Sequence, residues 1–404
     1  MRLVKRSPWL LGLGMLLAGV VMAPGARADV TTDQSGSLVI YPKVISDGTR
    51  DTLIQLSNRS NSFAFVHCFY VNTMGSCSVS GDSCRMDRDC PTGETCVRTC
   101  DAQNFDLTLT AQQPIQWRVS TGRLTVPFAP PCRPGQPCQC TVDQASGQLV
   151  CPGLTVGDTN SAFVPQIGSN FEGELKCYQT DADGAPIGGN ALKGTATIED
   201  LATGQISEYN ALSVLAGEPN TNRDLLLDGG EYNACPARVV FVAPGENSTD
   251  AFTGATVTTE LTLASCTELF EEAVPAPVTV RIVGHNEMEL SQSIEAFQFD
   301  CFLSRRLGDL PGNVFDVTLG DLWKIRVTPS SSNVCLTGTN RGGTCTTDAD
   351  CPGFATSPGG LSLGCRPSPG VIGVAEQFFG AGSAAYNLHV EGQRQFDIIT
   401  VTTP

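Results

Sequence analysis

Two short segments of this chain cannot be held together by hydrophobic burial. Cys84 to Cys96 reads C-R-M-D-R-D-C-P-T-G-E-T-C, and Cys345 opens C-T-T-D-A-D-C-P-G, so both fit C-x2-D-x-D-C-P. The first belongs to the spacing Cys77-x6-Cys84-x5-Cys90-x5-Cys96, with Cys100 just beyond; the second to Cys335-x9-Cys345-x5-Cys351-x13-Cys365. Each places four cysteines within about 30 residues that contain almost no apolar side chains. A peptide that small buries too little surface to fold unaided, and covalent links must substitute for a core. A bridge closing a loop of this size contributes roughly 2–4 kcal/mol by restricting the unfolded chain.

Metal binding is the rival reading. Structural zinc takes four thiolate or imidazole ligands, usually spaced C-x2–4-C. Here the spacings are five or more and no histidine lies nearby. Calcium held by Asp87 and Asp89, or by Asp348 and Asp350, would lack most of its six or more oxygen ligands. The cassettes therefore read as staples, with no metal and no cofactor. Four cysteines allow three connectivities; we take first-to-third and second-to-fourth, giving Cys77–Cys90, Cys84–Cys96, Cys335–Cys351 and Cys345–Cys365. A further cluster suggests Cys132–Cys138, with Cys140–Cys151 closing a hairpin over T-V-D-Q-A-S-G-Q-L-V. Cys177–Cys235 and Cys266–Cys301 are expected within the framework, and Cys68–Cys100 at the base of the first cassette.

The compartment follows from the same residues. Residues 1–28 have a basic start (Arg2, Lys5, Arg6), an apolar stretch from Trp9 to Ala23, and Ala26-Arg27-Ala28 before Asp29, the pattern of a secretory signal. All 18 cysteines follow it, and in an exported chain an even number of cysteines indicates disulfides. Removing the leader takes four of 25 basic residues and none of 41 acidic ones, leaving 21 against 41 and a net charge of −20. That balance argues against nucleic acid, whose binding requires Lys and Arg on phosphates. No second apolar stretch follows, so no transmembrane segment is expected after the leader is removed, and the protein is expected to be secreted or periplasmic, including at the cell surface.

Periodicity then gives the fold class. Apolar residues alternate in N-F-D-L-T-L-T (104–110), I-Q-W-R-V (115–119), V-T-T-E-L-T-L (257–263) and V-T-V-R-I (278–282), between Gly, Pro, Asn and Asp punctuation. Half-buried strands of this kind belong to antiparallel sheets. Six segments also recur in order. They pair 38–42 with 239–244, 51–56 with 258–263, and 63–68 with 278–283; then 105–110 with 315–320, 115–119 with 323–327, and 209–212 with 386–389. The expectation is an all-β chain of two tandem antiparallel β-sandwich modules with disulfide-knotted loop insertions. Module 1 spans 29–235, with a Cys-rich insert at 77–100 and a Cys cluster at 132–151. Module 2 spans 236–404, with an insert at 335–365.

Y-P-K-V-I-S-D-G-T-R-D-T-L-I-Q-L-S-N (41–58) and the strand after it resemble the start of immunoglobulin-like or fibronectin-like modules of bacterial exported proteins. With G-E-L-K-C (173–177), G-G-E-Y-N-A-C-P (229–236) and Y-N-L-H (386–389), the chain is similar to secreted bacterial proteins of unassigned function that carry short C-x2-D-x-D-C-P cassettes. The resemblance implies a fold and a compartment, and no mechanism.

Candidates for chemistry are few. Ser362 lies in G-L-S-L-G, a G-x-S-x-G match, but in a glycine-rich loop instead of a strand–helix elbow. His67, His285 and His389 have no neighbouring nucleophile in sequence. Glu287 and Glu289 would stand about 7 Å apart on one face of a strand, a spacing any E-x-E strand gives. Asp181 and Asp183 in D-A-D-G suggest a hairpin turn or a fragment of a calcium loop. Asn58 and Asn247 begin Asn-x-Ser/Thr sequons, without weight in a bacterial chain. Trp117 and Trp323 fall in matched segments of the repeat, as core residues or, if exposed, as a sugar platform. No catalytic residue is assigned, and the chain reads as a non-enzyme: a structural or binding, adhesion-like protein contacting a surface protein or polysaccharide. A carbohydrate-binding module, or less so a secreted hydrolase, is the alternative.

Overall fold

The computed structural model describes residues 30–393 apart from 85–88, 98–99, 124–140, 143–148, 151–162, 218–224, 226, 228, 230, 267–276, 357–361 and 363. The fold is all-β, with antiparallel sheets and no α-helix among the described residues; none of those residues form a helix long and apolar enough to cross a membrane.

Nine strands make up the sandwich of the N-terminal half, apart from short strands in its inserts: β1 (Leu38–Ser46), β2 (Arg50–Asn58), β3 (Ala64–Asn72), β4 (Asp101–Leu109), β5 (Pro114–Arg118), β6 (Phe171–Thr180), β7 (Leu192–Asp200), β8 (Ile206–Asn210) and β9 (Leu212–Val214). They pair as β4-β3-β6-β1-β9 and β5-β2-β7-β8, with one bridge, Ser46 to Asp51, joining the sheets at the β1–β2 corner. Alternation puts Phe105, Leu107 and Leu109 of β4 inside, facing Ile54, Leu56, Trp117, Ala196 and Ile198 from the other sheet.

The C-terminal half repeats this order. Its strands are β10 (Pro236–Pro244), β11 (Thr256–Cys266), β12 (Pro277–Asn286), β13 (Ser291–Asp300), β14 (Phe302–Arg306), β15 (Leu322–Pro329), β16 (Gly370–Phe379), β17 (Gly382–Asn387) and β18 (His389–Gln393). They pair as β13-β12-β15-β10-β18 and β14-β11-β16-β17, so each strand takes the place of the one nine before it. Four of the six sequence matches fall on equivalent strands. Two do not: 105–110 lies in β4, whereas 315–320 forms a 3-10 turn (Val317–Leu319) between strands. Likewise 115–119 covers β5, an outer strand, while 323–327 covers β15, the counterpart of β6, so Trp117 and Trp323 are not equivalent. Period-two alternation spells similar words in any half-buried strand, which is why the closest-looking pair misleads.

The halves pack through a second core. β1, L-V-I-Y-P-K-V-I-S, is buried at all nine positions. Val39 and Tyr41 enter the sandwich core, while Leu38 and Ile40 turn outward to meet Ala264, Cys266 and Ile372 of the C-terminal half. Burial on both faces is what a run without alternation signals. In β6, a Cβ on Gly173 would sit 1.9 Å from the Val71 carbonyl oxygen, so only glycine allows β3 and β6 to approach so closely.

Seven disulfides join described cysteines. In the cassettes Cys77 bonds Cys90, Cys84 bonds Cys96, Cys335 bonds Cys351 and Cys345 bonds Cys365. The framework pairings differ from expectation. Cys68 bonds Cys177, not Cys100, because β3 and β6 are neighbours and place the two cysteines directly opposite. Cys177 is thus taken, and Cys235 instead bonds Cys266 at the end of β11. Cys301, expected to bond Cys266, reaches across the halves to Cys100. Thr141–Val142 pairs antiparallel with Leu149–Val150, as a hairpin requires. Cys132, Cys138, Cys140 and Cys151 lie outside the described residues.

Candidate functional site

The two cassettes sit in different loops of the repeated fold. The first connects β3 to β4, the second β15 to β16. In one sandwich those loops leave from opposite ends, since Asn72 pairs near the start of β6 (Gly173) whereas Pro329 pairs near the start of β12 (Val280). In the whole molecule they converge. Cys100, at the base of the first cassette, bonds Cys301, and the neighbouring Asp300 accepts from Arg341 of the second cassette at 3.4 Å. Val71, Cys100, Cys301 and Phe302 form a small apolar cluster beneath them. Exposed side chains here include Val79, Val97 and Phe354.

The motif's aspartates build the second cassette. Asp348 Oδ1 accepts from the Cys365 backbone N–H at 2.7 Å, and its Oδ2 accepts from the Ser362 hydroxyl at 2.6 Å. Asp350 Oδ2 accepts from the Thr346 and Thr347 N–H groups and caps the turn Asp348–Asp350. Partial burial opposes ionisation of Asp348, but the bonds from Ser362 and Cys365 prevail and hold its carboxyl below the usual range; backbone N–H bonds lower Asp350. These carboxylates are used by the chain itself. Cys77, Cys84 and Cys90 cluster closely, as do Cys335, Cys345 and Cys351, but all six sulfurs are in disulfides and none is a thiolate. In the first cassette Asp87 lies outside the described residues.

The other sequence candidates are scattered. Ser362 is bound to Asp348 and its carbonyl to Arg366. His67 pairs with Asp106 on the outer face of β3 and β4, stacked edge-on to Phe69. His285 is the penultimate residue of β12 and His389 begins β18. Glu287 accepts from the backbone N–H groups of Asp321 and Leu322, and Glu289 has φ +64° in the β12–β13 turn. The structure therefore brings none of these together. Asp181 Oδ1 accepts from the N–H groups of Asp183 and Ala185, with Gly184 at φ +85°: a turn between β6 and β7. Asn58 is buried, donating to the carbonyls of Ser62 and Thr110. Asn247 donates to Asp316. Trp117 is buried and donates to the Tyr70 hydroxyl; Trp323 is buried and donates to the Gly320 carbonyl. Neither indole can serve as a sugar platform.

Three features have roles that the sequence reading did not foresee. Lys43, fully buried on β1, lies 2.5 Å from Glu260 on β11 and 2.6 Å from Glu376 on β16, with Arg50 3.5 Å from Glu376. Burial alone would raise the Glu260 carboxyl, but the charges of Lys43 and Arg50 hold it at about 2. The repeated Tyr-Asn pair forms the second. Tyr209 donates to the Lys43 carbonyl, and Tyr386 to the carbonyl of Val242 on β10, the counterpart of β1. Asn210 and Asn387 bond each other reciprocally across the halves. The third is Glu246, whose carboxyl burial pushes up to about 7 despite backbone N–H bonds from Thr259 and Gly308. A lysine inside an otherwise apolar strand was the visible signal for the first; the partners, more than 200 residues away, were not.

Comparison with protein-family models gives no match for this chain, and comparison with curated proteins gives none either.

Proposed function

We propose that this is an exported, non-catalytic binding protein in which two halves form one rigid mount for a pair of disulfide-knotted loops. The observation that carries the reading is the convergence of both cassettes on the Cys100–Cys301 bond. Loops fixed on a rigid scaffold make good contact surfaces, because little ordering entropy remains to be lost on binding. Seven disulfides suit an oxidising compartment, which agrees with the leader-like residues 1–28. The partner is a component of the cell envelope, a surface protein or polysaccharide.

The test uses the oxidised chain from Asp29 onward, incubated with intact cells and envelope fractions of its own source. Saturable retention is expected, together with its loss when either 75–97 or 335–365 is replaced by a short turn. A protein left wholly in the supernatant, or retained equally without the cassettes, overturns the reading.

A further inference from the structure

The outer face of β5-β2-β7 carries a groove of about 670 Å³, within the roughly 300–1,000 Å³ of ligand sites. Among the described residues its charged lining is Arg59, Arg123 and Lys193, with no carboxylate, on a chain of net charge −16. Neither Arg59 nor Arg123 has an ion-pair or side-chain hydrogen-bond partner among the described residues. The Lys193 ammonium donates to the Asp33 backbone carbonyl at 2.9 Å and has no carboxylate partner among the described residues. Arg118, the next cation along β5, is by contrast paired with Glu199. Between the cations, Gln116 of β5 stands directly opposite Gln55 of β2, which stands opposite Thr195 of β7. Both glutamine side chains are exposed, and among the described residues neither has a side-chain hydrogen-bond partner.

We infer that this groove binds an acidic polysaccharide segment, with the cations on its carboxylates and the Gln55–Gln116 pair on its hydroxyls. An amide both donates and accepts, which matches sugar hydroxyls better than a bare polyanion needs. The remaining negative charge is no obstacle. At physiological ionic strength, charges beyond about 8 Å are largely screened. The site is on the N-terminal half's sheet, separate from the cassettes, so it stands whether or not they bind a partner.

The experiment titrates the oxidised protein with short galacturonate oligomers, neutral galactose oligomers of equal length, and polyphosphate of equal charge. Galacturonate binding is expected, weakening at least about tenfold between roughly 0.05 and 0.5 M salt. Arg59→Gln with Lys193→Gln should reduce affinity at least tenfold, and Gln55→Leu with Gln116→Leu several-fold, both with melting temperature unchanged. Arg281→Gln, on the exposed face of β12, should change nothing. Absence of galacturonate binding, equal binding of the neutral oligomer, equal or tighter binding of polyphosphate, or full affinity in the groove variants would each overturn the assignment.

Discussion

Lys43 is the residue whose loss should damage this molecule most per atom removed. Its ammonium is wholly buried between Glu260 and Glu376, which come from two different strands of the other half. Ser304 also donates to Glu260, and Ser207 to Glu376. Replacing Lys43 by methionine keeps most of the volume and leaves two buried carboxylates with Arg50 as their remaining cation. Breaking a buried pair in this way costs about 3–5 kcal/mol, because an uncompensated charge stays behind. The triple variant Lys43→Met, Glu260→Gln, Glu376→Gln should recover most of that, since nothing charged is then stranded. The acid limb gives an independent check. The Glu260 carboxyl is held at about 2 in the folded protein against 4.5 otherwise. The unfolded chain therefore binds the extra proton as pH falls from about 4.5 to 2. Stability contributed by this group is present above that window and lost within it, by about 3 kcal/mol. Urea unfolding of the wild type should show the decline, and Lys43→Met should lose most of this contribution. A variant within about 1 kcal/mol of wild type at pH 7, with the same acid slope, would refute a stabilising role for the cluster.

Other perturbations separate the remaining supports. Converting Cys100 and Cys301 together to serine should lower stability by roughly 2–5 kcal/mol in urea, because that bond joins cysteines 201 residues apart; an unchanged midpoint would show that the noncovalent contacts alone fix the halves. Asp348→Asn should leave the melting temperature unaltered while speeding reduction of Cys345–Cys365 by dithiothreitol, since it weakens the acceptor for Cys365 and Ser362; an unchanged reduction rate would count against it. Tyr209→Phe and Tyr386→Phe should each cost roughly 0.5–1.5 kcal/mol, with Tyr209 the larger because its acceptor, the Lys43 carbonyl, is buried; calorimetry showing no loss in either would refute the equivalence of the two bonds.

What could be read from the sequence was local. Alternation identified β4, β5 and β12 because one face of each is wet, and β11 because its second face, though buried against the other half, carries polar Thr258, Glu260 and Thr262; the pairing within each cassette joins cysteines 12 to 20 residues apart. Cys68–Cys177, 109 residues apart, depends on β6 being inserted between β1 and β3, an arrangement no spacing discloses. The groove was hidden for the same reason. Arg59, Arg123 and Lys193 are far apart in the chain and meet only when β5, β2 and β7 lie side by side.

The repeated strand order and the unrepeated inserts together explain why the halves must be locked. A fold used twice would present equivalent loops at equivalent places, but the cassettes occupy the β3–β4 and β15–β16 connections, which point away from one another within a single sandwich. Their meeting at Cys100–Cys301 is therefore a property of how the halves are set together, and not of either half. Several contacts outside the two sandwich cores act on that setting: the Lys43 cluster, the reciprocal Asn210–Asn387 bonds, the apolar layer from Leu38 to Ile372, and the long-range disulfide. These contacts act on one rigid-body arrangement, so a small rotation must break several of them at once. Two loops mounted in this way keep their position relative to one another.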